Sequence, residues 1–197
     1  MTPHHDPAAA YLRTIVTLAR AVQARDPYAA GRSERVTRLA QRIAGELGLG
    51  AEHNHAIAVG VVCADIGKIG LPDRLLHGRG HLPEEDYAIL RSYPAISSFI
   101  LAELELPVIV KEMARSHLER WDGEGGPDHL AGAAIPIFAR VLAVADAIDH
   151  KLFGGAVLAT AFGEVEAESG TRFCPNVVEA ARCCLAADPA LRDYLAA

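Results

Sequence analysis

Apolar residues recur every three or four positions along most of this 197-residue chain, and no stretch alternates apolar with polar residues long enough to make a strand. Val36, Leu39, Ala40, Ile43 and Leu47 follow the i, i+3, i+4, i+7 rule. The spacing predicts a helix from Ser33 to Leu47, with Ser33 as N-cap and Gly48 as the stop. Tyr11, Ile15, Leu18, Ala19 and Val22 mark an earlier helix, which should break near Asp26-Pro27 because the residue before a proline avoids the helical region. Residues 56–65 are nearly all apolar and predict a buried helix stopping at Gly67 and Gly70-Leu71-Pro72. Pro83, Pro94 and Pro107 each open a further helical stretch, and the Gly, Pro and Asp content of residues 123–136 predicts a loop. Residues 137–152, 156–170, 176–187 and 189–195 complete the helical set. No internal repeat is present. The expectation is an all-α, single-domain bundle over residues 11–197, preceded by a flexible N-terminus at residues 1–10.

Composition narrows the class. Hydrophobic residues at 51% supply a substantial core, and charged residues at only 22% exclude disorder as the dominant state. No apolar run approaches the ~20 residues needed to cross a bilayer. The start, MTPHHDPAAAYLR, has no basic region leading into an apolar one, so a soluble cytoplasmic protein without a signal peptide is expected. A net charge of -6 without a basic run argues against general nucleic-acid binding and leaves open a local basic pocket for a small phosphorylated ligand. Cys63, Cys174, Cys183 and Cys184 contain no CxxC pair, so a disulfide framework is not expected and a reducing compartment is. His4 and His5 read as a solvated tail, His53 and His55 as exposed, and His77, Arg79 and His81 as a surface loop. Cys183 and Cys184 read as buried in an apolar helix.

Several short strings stand in register. They are Asp26-Pro27-Tyr28, then Gly31-Arg32-Ser33-Glu34-Arg35-Val36, then Ala64-Asp65-Ile66-Gly67-Lys68-Ile69-Gly70-Leu71-Pro72. After them come His117-Leu118-Glu119-Arg120-Trp121-Asp122-Gly123, Gly125-Gly126-Pro127, and Ile135-Pro136 leading to Asp146. Over roughly residues 11–185 this order resembles the HD-GYP family, a helical division of the HD phosphohydrolases found in bacterial signalling, whose members typically hydrolyse cyclic di-GMP.

The resemblance implies a centre of two or three Fe or Mn ions that activates a bridging water. The family's ligand positions fall on Arg32, Ala64, Asp65, Tyr93, His117, Leu118 and Asp146. Typical members carry His at 32, 64, 93, 117 and 118, and this chain keeps only His117. Ala64 and Leu118 have no donor atom, Arg32 cannot ligate a cation, and Tyr93 ligates poorly unless ionised. The expected cofactor is therefore none, or at most one divalent Mn or Fe ion on Asp65, His117 and Asp146. Lys68 and Asp65 remain at family catalytic positions, whereas the tyrosine of the GYP string and the substrate-binding arginine are missing. Lys68, Arg120 and Trp121 are the candidate ligand-binding residues, with Trp121 weighed more heavily as a packing anchor.

Without metal, Asp65 and Asp146 would be uncompensated carboxylates, so the Arg32 guanidinium is expected to reach into the former metal site and pair with them. The leading functional expectation is a catalytically inactive regulatory module that contacts another signalling protein or a second copy of itself, without nucleic acid or membrane. The alternatives are a cyclic di-GMP phosphodiesterase with a reduced metal site, and a cyclic dinucleotide receptor using Lys68, Arg79, Arg120 and Arg140.

Overall fold

The three-to-four spacing becomes helix over most of the described residues. A computed structural model describes residues 7–26, 31–76 and 83–196. Among the described residues the α-helices are α1 (Pro7–Gln23), α2 (Arg32–Glu46), α3 (Asn54–Ala64), α4 (Asp73–Leu76), α5 (Glu84–Arg91) and α6 (Tyr93–Ala102). They continue as α7 (Val108–Ser116), α8 (Ile137–Phe153), α9 (Leu158–Ala167), α10 (Pro175–Ala187) and α11 (Pro189–Ala196). Short 3-10 turns cover Ala51–His53, Ile66–Gly70 and Gly132–Ala134, and the only bridge among the described residues joins Ser169 to Phe173. The fold is all-α, as the periodicity required.

Helix ends differ from expectation in instructive places. α1 begins at Pro7, so residues 7–10 are helical, within the stretch expected to be a flexible tail. Ser33 is not the N-cap of α2: Gly31 takes that position in the left-handed region, at φ 71°, and the Ser33 hydroxyl instead donates to Gln23 Oε1 at 3.0 Å. The short α4 carried no periodic signal. His53 is half-buried rather than exposed, edge-on to the Phe138 ring at 5.2 Å. Cys184 is buried as expected, while Cys183 is only half-buried. The readings of His4, His5, His77, Arg79 and His81 lie outside the described residues.

Two cores hold the bundle together. The larger gathers Val36, Leu39 and Ile43 of α2, Leu142 and Ile148 of α8, and Val177 and Ala181 of α10, with Phe173 among them. The smaller joins Ile15, Ala19 and Val22 of α1 to Val59, Val62 and Cys63 of α3, and to Leu101 and Val110. α3 is apolar on all sides because it divides the two: Ile57, Val61 and Ala64 serve the larger core. Each fully buried Leu or Ile contributes about 1.5–3 kcal/mol, so this helix is fixed from both faces. Its C-terminal end, the start of α2, the end of α7 and the middle of α8 converge on one polar cluster.

Candidate functional site

Arg32 opens α2 and lies 9% exposed at the centre of that cluster. Its Nη1 donates to Asp65 Oδ2 at 2.6 Å. Its Nε and Nη2 lie 2.9 and 2.6 Å from Asp146 Oδ1. One guanidinium thus bridges the carboxylates that end α3 and punctuate α8, as expected from the sequence. A planar fork of donors suits two acids at once, where a spherical ammonium would serve one. Burial alone pushes the Asp65 carboxyl up, but the charges of Arg32 and Lys68 outweigh it and hold the group below the usual carboxylate range. Burial works against the Arg32 cation, and Asp146 and Asp65 more than restore it.

The other positions at which the resemblance expects ligands are engaged in packing and hydrogen bonding. Ala64 is buried, and its carbonyl accepts from Ser97 Oγ at 2.7 Å. Ser97 Oγ in turn accepts from Gly67 N at 2.8 Å, which ties the 3-10 turn to α6. Gly67 is required there, since a Cβ would fall 2.1 Å from the Tyr93 carbonyl oxygen. Leu118 packs with Tyr93, Leu71 and Leu76 in a small apolar cluster. The Tyr93 hydroxyl lies 2.7 Å from His117 Nε2, and His117 Nδ1 lies 2.9 Å from the Met113 carbonyl. The carbonyl can only accept, so Nδ1 carries the proton and Nε2 accepts from Tyr93. Burial keeps His117 neutral by lowering its pKa. Burial, reinforced by Asp65 and Asp146, holds the Tyr93 hydroxyl well above the ordinary phenol value.

Lys68, in the 3-10 turn that follows α3, lies 3.3 Å from Asp65 and 2.9 Å from Asp26. Burial lowers its pKa, and the two carboxylates reverse that and leave it raised, so the ammonium stays charged. Glu119 is 4% exposed and accepts from the backbone N–H groups of Asp128 at 2.7 Å and Leu130 at 3.2 Å. It therefore clasps the Gly125-Gly126-Pro127 loop. Gly125 lets that loop pass close by, because a Cβ would lie 2.2 Å from Arg120 N. Arg120 is engaged by Asp122 at 2.5 Å. Trp121 packs on the larger core, its backbone tied to Arg172 and Gly132, with the Arg140 guanidinium 5.7 Å from its ring.

HD-domain phosphohydrolases are generally metal-dependent, which makes this donor set the place a metal ion would bind. Asp65 Oδ1 is buried without a hydrogen-bond partner, the one feature a cation would satisfy. The rest does not fit. The facing carboxylate oxygens hold Arg32, and both His117 nitrogens are engaged. Among the described residues no group of three or more His, Cys, Asp or Glu side chains is arranged to hold a metal.

Comparison with known proteins defines the class. A family model described as HD domain matches residues 17–177. The chain therefore belongs to the HD-domain family of phosphohydrolases. It is 38% identical over 155 residues to a cyclic di-GMP phosphodiesterase of Thermotoga maritima, covering 75% of this chain and 42% of the relative. It is 34% identical over 174 residues to the cyclic di-GMP phosphodiesterase response regulator RpfG of Xanthomonas campestris, covering 85% and 46%. The chain thus spans less than half the length of these relatives. Among solved structures, the Vibrio cholerae cyclic GMP-AMP-specific phosphodiesterase V-cGAP3 superposes with a TM-score of 0.73 at 21% identity, over 94% of this chain and 51% of that one. The HD domain of the Listeria monocytogenes phosphodiesterase PgpH gives 0.62 at 17% identity, over 86% and 95%. These two likenesses establish the fold.

Three site features escaped sequence reasoning. Asp26 stands in a motif string that names no partner for it. Ser97 had no signal at all. Asp149 is 2% exposed on its side chain and pairs with Arg35 at 2.6 Å, one turn beyond the Arg32–Asp146 pair on both helices. The signal for this last pair was available: two arginines spaced i, i+3 in α2 facing two aspartates spaced i, i+3 in α8.

Proposed function

We propose that this HD-family domain acts in bacterial signalling without hydrolysing a phosphodiester, through contact with another signalling protein or a second copy of itself. The observation that carries this reading is the Arg32 guanidinium bridging Asp65 and Asp146, where the family's chemistry needs metal. Ala64, Tyr93 and Leu118 support it, since each is committed to packing or hydrogen bonding that a metal ligand could not share. A cytoplasmic setting accords with four free cysteines. No helix among the described residues is long and apolar enough to cross a membrane.

A second reading is favoured by the relatives, which are named cyclic di-GMP phosphodiesterases at 34–38% identity. It requires Arg32 to withdraw so that Asp65, His117 and Asp146 can hold one Mn or Fe ion, with Lys68 and Asp65 in catalytic roles. Retention of cyclic di-GMP as a bound ligand is a weaker variant, because Lys68 and Arg120 are already paired with Asp26 and Asp122 while Trp121 is tied into the core. The test is cyclic di-GMP turnover by protein loaded with Mn or Fe without oxygen, beside the Thermotoga maritima relative. No turnover is expected. Turnover abolished by Asp65→Asn would establish the second reading.

A further inference from the structure

The end of α1 spends three side chains on the site and its supports. Gln23, 6% exposed, donates to the Val62 carbonyl of α3 at 3.3 Å and accepts from Ser33 of α2 at 3.0 Å. The Arg25 guanidinium reaches the carbonyls of Lys68, Ile69 and Leu71 at 3.4, 3.2 and 3.1 Å, and so clamps the backbone of the 3-10 turn at its C-terminal end. Asp26 places its carboxylate 2.9 Å from Lys68 Nζ, with both side chains largely buried. The backbone and the ammonium of Lys68 are thus both held by two consecutive residues in the turn just beyond α1. From there the charges alternate through the molecule: Asp26, Lys68, Asp65, Arg32, Asp146.

We propose that α1 is an input lever for this site and that Asp26 is the contact through which it gates Lys68. The body of α1 packs on α3 through Ile15, Ala19 and Val22, within the smaller core, so it can shift without opening the larger one. A shift draws Asp26 off Lys68 and frees the ammonium for an anionic group. The inference is independent of whether the domain hydrolyses a substrate, because it concerns which groups face Lys68 and not what reacts there.

The chain has three lysines, Lys68, Lys111 and Lys151, so amine labelling read by mass spectrometry carries its own references. The full chain is labelled in chelator-containing buffer with an acetylating ester. Lys68 is expected to react about tenfold more slowly than the other two, a gap of the size that local opening free energies produce. Asp26→Asn, which keeps the side-chain shape, should raise labelling at Lys68 about fivefold and leave Lys111 and Lys151 unchanged. Gln23→Ala should do the same although Gln23 does not touch Lys68, because it removes the hydrogen bonds that tie the end of α1 to α2 and α3. Ser33→Ala removes the α2 half of that tie and serves where Gln23→Ala does not fold. A response to Asp26→Asn alone would reduce the contact to a local ion pair and overturn the lever. No response to either would overturn the gate as well. Loss of the metal-free reading, by contrast, would appear as bound metal and leave these labelling ratios as stated.

Discussion

At the scale of single residues, Arg32 is the substitution around which the others make sense. On the proposed reading, an arginine where the family typically carries a histidine removes a metal donor and supplies the positive charge the metal would have brought. Breaking a buried ion pair by deleting one partner costs about 3–5 kcal/mol, because the surviving charges stay buried. Arg32→Ala is therefore expected to lose about that much in urea unfolding, and Arg32→Lys to recover only part of it, since an ammonium cannot bridge both carboxylates. Tyr93→Phe removes the hydroxyl that donates to His117 Nε2. It should cost about 1–3 kcal/mol by leaving a buried acceptor unmet. Equal stability of Arg32→Ala and the parent chain would show that the bridge carries no weight.

At the scale of elements, helices were legible and their joints were not. The 3.6-residue period of Val36, Leu39, Ala40 and Ile43 announces α2 because one face is buried, as all four are. The run from 56 to 64 looks the same as any buried helix, and only the packing shows that it separates two cores. Ser33 misled as a cap because its hydroxyl was equally able to bond sideways to Gln23. The family motif names Arg32, Asp65 and Asp146, and these three do meet in one cluster. Asp26, Ser97 and Asp149 stayed hidden because their partners lie 42, 33 and 114 positions away. The Glu119 clasp yields an element-scale prediction. Glu119→Gln keeps the shape but weakens both charge-assisted bonds to the loop at residues 128–130. Amide exchange there should speed up while exchange in α8 stays unchanged. Gly67→Ala should destabilise the chain by about 1–3 kcal/mol or more, since the new methyl meets backbone rather than a flexible side chain.

At the scale of the whole molecule, the site couples stability to pH. His117 has a folded pKa below its ordinary value of 6.5, so the unfolded chain binds the proton first. Its contribution is full above pH 6.5 and drains as pH falls through the folded value. Asp65 is likewise held below its ordinary 3.8, so its contribution is full above that pH and is lost in stronger acid. The melting temperature should be level near neutrality, fall below about pH 6.5, and fall again below about pH 4. A melting temperature that rises on acidification through pH 6 would contradict the neutral, Tyr93-bonded His117. The central claim is that an arginine has replaced the metal centre of an HD-family domain. Elemental analysis after anaerobic loading with Mn and Fe tests it most directly, on the parent chain and on Arg32→Ala side by side. The account predicts no stoichiometric metal in the parent chain, and about two ions per chain there, of the kind a bridged metal centre needs, would contradict it.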